Sequence, residues 1–191
     1  MIQHNETDVA ADTQLWLERA VIGLNLCPFA KAVHVKRQIR YVASNATTPE
    51  ALAEDLHREL EFLAETSAEL VDTTLLIHPN VLIDFLDFND FLDVADGMVD
   101  ELDLDGIIQV ASFHPQFQFE DTFADDITNY TNRSPYPTLH LLREDSVERA
   151  VAAFPDELAI ADTNIKTLKK LGHEGWAALG LTTEARTADT G

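Results

Sequence analysis

The sequence predicts an α/β fold: a layered sheet of three to five strands, largely parallel, with helices packed on it. Two observations carry this expectation. Four short segments, at 37–43, 72–77, 107–113 and 137–143, are apolar or alternating and end in turn residues, as strands do. Helical stretches with one apolar face separate the first three, and such crossovers make successive strands parallel. The fourth segment follows a long aperiodic stretch instead of a helix. Its direction stays open, so an antiparallel return strand is allowed, and both a ferredoxin-like layout and a small doubly wound sheet fit.

Each element has its own signal. Residues 13–26 place Leu15, Leu17, Val21, Ile22 and Leu24 on one helical face, and Pro28 stops the helix. In 37–43, Ile39 and Tyr41 share one side of a strand. Thr48, Pro49 and Glu50 supply a cap, an N-terminal proline and a first-turn acid for a helix to about residue 65. Leu52, Leu56, Leu60 and Leu63 form its stripe. The run DTTLLI at 72–77 reads as a buried strand ended by His78-Pro79. Residues 84–104 give the clearest helix: Phe85, Phe88, Phe91, Leu92, Ala95, Val99 and Leu102 face inward while aspartates face water. IIQVASF at 107–113 is a core strand ended by His114-Pro115, and PTLHLLR at 137–143 is the last strand. Asp145 and Glu148 have capping-box spacing for a helix to residue 154. Asp162 caps a final helix that Gly172 closes, and Trp176 and Leu179 dock a short terminal one.

The chain has 191 residues, enough for one domain, placed at 13–181 with flexible tails at 1–12 and 182–191. Its 34 acids against 13 Lys and Arg give a formal net charge of −21, which argues against nucleic acid and anionic membranes as partners. The single cysteine, Cys27, excludes an internal disulfide. The N-terminal residues lack a secretory pattern, and no apolar run is long enough for a membrane helix, so a cytoplasmic protein is expected.

Three features bear on function. The paired endings His78-Pro79 and His114-Pro115 fall on parallel strands, so both histidines belong at the C-terminal edge of the sheet, where α/β folds bind ligands. There they can act as general acid and base. With His140 from the last strand they can instead ligate a divalent metal such as zinc, whose bound water would serve as nucleophile. Residues 115–136 form a long loop that leaves from this edge. It carries Asn129, Asn132, Arg133 and Tyr136, and a guanidinium grips carboxylate or phosphate. Cys27, at a helix end, is either an inert packed thiol or a nucleophile helped by His34 or Arg37.

At these motifs the chain resembles a bacterial domain of unknown function, number 1415. The stretches that carry the resemblance are NLCPFA at 25–30, HP at 78–79 with DFLDFNDFL at 84–92, QVASFHP at 109–115 and NYTNRSPYPTLHLLRE at 129–144. It covers residues 15–172. The resemblance implies no substrate or reaction. Its signature residues coincide with those above and include Arg143, which is expected beside Arg133 among the substrate-binding residues. One departure is Asp162-Thr163-Asn164, where the family leads one to expect an arginine before the asparagine. The expected function is a small-molecule enzyme, a metal-dependent hydrolase, acting on an anionic substrate. Two alternatives stand beside it: a non-catalytic module binding a small anion or a protein, and a Cys27-dependent thiol enzyme.

Overall fold

The computed structural model describes residues 5–153 and 157–181. Four strands, β1 (Ile39–Ala43), β2 (Thr73–Ile77), β3 (Ile108–Phe113) and β4 (Thr138–Arg143), form one sheet in the order β1-β2-β4-β3. Strands β1 and β2 are parallel, with Tyr41 opposite Leu75. β4 enters between β2 and β3 and runs antiparallel to both, with His140 opposite Leu75 on one side and Ala111 on the other. Three strands therefore point the same way, and the return strand points back. β2 and β3 end on one edge, as expected, but are not neighbours. Strand order is set by where the long loop returns, which no local pattern encodes.

One face of the sheet is covered by α3 (Pro49–Glu65) and α4 (Phe85–Glu101). Thr48 caps α3 through Ala51 N at 3.3 Å, and Asp84 caps α4 through Leu86 N at 2.8 Å. Leu52, Leu56, Leu60, Leu63 and Phe88 interlock there with Leu76, Leu139 and Leu141 of the inner strands. The other face is covered by α1 (Glu6–Trp16), a π-helical turn (Leu17–Ile22) and the C-terminal segment. The first helix starts well before residue 13. Asn5 caps it through Thr7 N at 3.3 Å, and Val9 is 1% exposed against Leu75, Ile77 and Tyr136. Its inner face of Val9, Thr13 and Trp16 is narrow, so the sequence shows little periodicity there.

A six-residue helix, α2 (Ala30–Val35), has no buried residue and no apolar stripe to announce it. Helix α5 (Glu144–Ala153) follows β4 directly, and the expected end of this helix at residue 154 lies outside the described residues, as does the tail at 182–191. Helix α6 (Glu157–Ala177) breaks at Gly172, whose φ of 66° suits glycine, so the expected terminal turn bearing Trp176 is present.

Arg143 holds two layers together. Its Nη2 donates to the carbonyls of Leu63 at 2.6 Å and Val71 at 3.2 Å, and to that of Thr66, satisfying acceptors left open at the end of α3. Replacing it with leucine is expected to cost about 1.5–3 kcal/mol, the worth of hydrogen bonds from a charged donor. Urea denaturation checks this, and a loss below about 0.5 kcal/mol would contradict it.

Candidate functional site

The strand ends bring His78 and His114 together, both against the Phe88 ring. The His78 ring stacks on Phe88 at 5.6 Å, and His114 lies 5.1 Å from it. Alternation along β2 and β3 puts both histidines on the α3/α4 face, and both are 0% exposed. His78 Nδ1 must carry the proton, because it donates to the Val81 carbonyl at 3.0 Å. Its Nε2 is buried and has no hydrogen-bond partner among the described residues. His114 is the opposite tautomer: Nε2–H donates to Leu82 O at 3.2 Å, and Nδ1 accepts from Gln116 N at 3.0 Å. Burial lowers both imidazoles, His78 to about 4, with the neighbouring His114 adding to the effect. Both are neutral near pH 7 and closed to solvent.

His140 is elsewhere. It alternates with Leu139 and Leu141, which face α3 and α4, so its ring lies on the opposite side of the sheet, 5.8 Å from Phe113. Thr73 Oγ1 spends its hydrogen on Leu141 O, so His140 Nε2–H donates to Thr73 Oγ1 at 2.7 Å. Burial lowers His140 to about 4. The three-histidine ligand set thus does not assemble. Among the described residues no three His, Cys, Asp or Glu side chains are grouped to hold a metal ion. The donor set does not fit zinc.

The long loop is organised by its own side chains. Asn129 Oδ1 accepts from Phe119 N at 3.0 Å and Thr122 Oγ1 at 2.9 Å, and its Nδ2 donates to Phe123 O at 2.8 Å. Asn132 Nδ2 donates to Ser112 O at 3.4 Å. Tyr136 Oη donates to Asp12 at 2.9 Å. These three, and Arg143, are committed to the fold. Cys27 is half-buried against the cluster of Trp16, Leu17, Ala20 and Val21, while His34 lies 3.5 Å from Glu18. At the Asp162-Thr163-Asn164 departure, Asn164 Nδ2 donates to Leu26 O at 2.8 Å, which ties α6 to the chain beside Cys27.

Arg133 is different. Its Nε donates to Phe117 O at 3.0 Å and its Nη2 to Ala124 O at 2.7 Å, and the guanidinium lies 4.5 Å over the Tyr130 ring. Those contacts fix the fork, yet Nη1 makes no hydrogen bond and no carboxylate pairs with the charge among the described residues. Arg133 borders a cleft of about 210 Å³ with Trp16, Tyr130 and Trp176. Pro115, at the exit of β3, and Ser134-Pro135, at the entry to β4, complete its rim with Leu181. Trp16 is 2% exposed, and its Nε1–H has no acceptor among the described residues. Tyr130 meets Trp176 edge-on at 5.0 Å. Trp16 and Trp176 come from opposite ends of the chain, so no local signal could have paired them.

The fold and this cleft define a mixed-sheet α/β domain with helices on both faces and an arginine-bearing aromatic pocket at one sheet end. The chain belongs to the family described as "Protein of unknown function (DUF1415)", whose model matches residues 8–178. No curated protein and no solved structure matches it. No helix among the described residues is long and apolar enough to cross a membrane.

Proposed function

We propose that the protein is a binding module for a small organic anion, held by Arg133 in the cleft beside Tyr130. The observation that carries this is the state of the Arg133 charge. In a chain of net charge −21, the guanidinium is anchored on two backbone carbonyls and one aromatic ring but has no acid of its own among the described residues. A preorganised guanidinium loses little freedom on binding and offers its remaining N–H edge to a carboxylate. A hydrolytic reading through His78 and His114 has weaker support. A general base must reach the proton it takes, and these imidazoles are sealed between the sheet and α4.

Thermal-shift measurements with millimolar acetate, benzoate, succinate and inorganic phosphate test the reading. A ligand at ten times its Kd adds about 1.4 kcal/mol, or about 3–6 °C in Tm for a chain of this size. Wild type is expected to shift with at least one of these anions and Arg133→Gln with none. Equal shifts in the two proteins, or no shift in either, would refute it.

A further inference from the structure

Resting on the anion-binding reading, we infer that the ligand is an aromatic carboxylate: one flat ring carrying one carboxylate. Among the described residues the cleft has a single charged lining group, Arg133, and its other lining side chains are mainly aromatic or apolar, with the hydroxyls of Tyr130 and Ser134 as the polar ones. Ser134 turns its hydroxyl away to Tyr136 O at 2.5 Å. An anion that seats there therefore presents its charge at one end and an apolar body elsewhere. A sugar phosphate would press hydroxyls against Trp and Pro walls, leaving them without partners, and its second charge would meet no second cation.

Size and wall geometry narrow the class further. At about 210 Å³ the cleft lies below the roughly 300–1,000 Å³ of pockets for drug-sized ligands, so a single ring fits and a nucleotide does not. Tyr130 and Trp176 stand at 71° to each other, so a flat ring that stacks on one lies edge-on to the plane of the other, and both are arrangements aromatic pairs prefer. Tyr130 is already backed by the Arg133 guanidinium, which places the ring site next to the charge site.

The chain's only two tryptophans, Trp16 and Trp176, both line the cleft, so intrinsic fluorescence reports on its occupancy. The full chain is titrated with benzoate, cyclohexanecarboxylate and acetate, alongside Arg133→Gln. Benzoate is expected to change the emission saturably and to bind about three- to tenfold more tightly than cyclohexanecarboxylate, the worth of an aromatic contact. Cyclohexanecarboxylate has the same charge and a more apolar but non-planar body, so a merely greasy cleft would favour it. If it or acetate binds as tightly as benzoate, and does so only with Arg133 present, the aromatic assignment fails while the anion reading stands. If no acid shows Arg133-dependent binding, both fall.

Discussion

Replacing Phe88 with alanine is expected to destabilise the fold by about 3–5 kcal/mol, the cost of removing a large buried ring and leaving a cavity. Phe88 is 0% exposed and sits in the main core between α3, α4 and the inner strands. It also stacks on the buried His78 ring at 5.6 Å, so its removal opens space beside that imidazole. The variant should therefore show a second effect that a simple core cavity would not. His78 becomes hydrated, and its proton affinity rises toward that of an ordinary histidine. Urea denaturation reads the first effect, and the imidazole proton resonances followed across pH read the second. A loss below about 1 kcal/mol, with His78 still neutral well below pH 6, would contradict the packing described.

Acid should weaken the protein in a window set by its buried histidines. The folded chain holds His78 and His140 down to about 4, and His114 below its ordinary value, all through burial. An unfolded histidine takes up its proton near pH 6.5. Between these limits the unfolded state binds more protons, so stability rises with pH and falls as pH falls. The contribution is complete above about pH 6.5 and is lost progressively toward pH 4. For His78 and His140 the loss is about 1.4 kcal/mol per pH unit between these limits. Hydrogen bonding reinforces this at His114: a proton on Nδ1 would face the Gln116 N–H that it now accepts. Lowering the pH from 7.5 to 5 is expected to move the urea midpoint down and remove on the order of a few kcal/mol. A midpoint that stays flat over that range would contradict the assignment of neutral, buried imidazoles.

The elements that bury a wide stripe were legible in the chain. Leu52, Leu56, Leu60 and Leu63 mark α3, and alternation of phenylalanines with aspartates marks α4, because each presents one broad face to the sheet. The α1 start was not legible, since Val9, Thr13 and Trp16 bury a narrow face and Thr13 does so with a hydroxyl bonded to Val9 O. The insertion of β4 between β2 and β3 was hidden for another reason: strand order depends on a long loop and not on any local period.

The candidate site divides in the same way. That His78 and His114 meet follows from two strands ending alike and from crossovers that align them. That His140 does not join them is a matter of parity along β4, where Leu139 and Leu141 both face α3 and α4. Arg133 stood out in the sequence as a cation in an acidic chain. Its anchoring on Phe117 O and Ala124 O, and the tryptophans beside it, depend on contacts between segments far apart in sequence.

The most direct test of the central claim leaves the protein unmutated. Side-chain ¹⁵N resonances of Arg133 are followed while benzoate is added to the isotopically labelled wild-type chain. The account predicts a saturable shift of the Arg133 Nε and Nη signals, in step with the indole resonances of Trp16 and Trp176. Arg133 signals that stay fixed while resonances elsewhere in the protein titrate would contradict it.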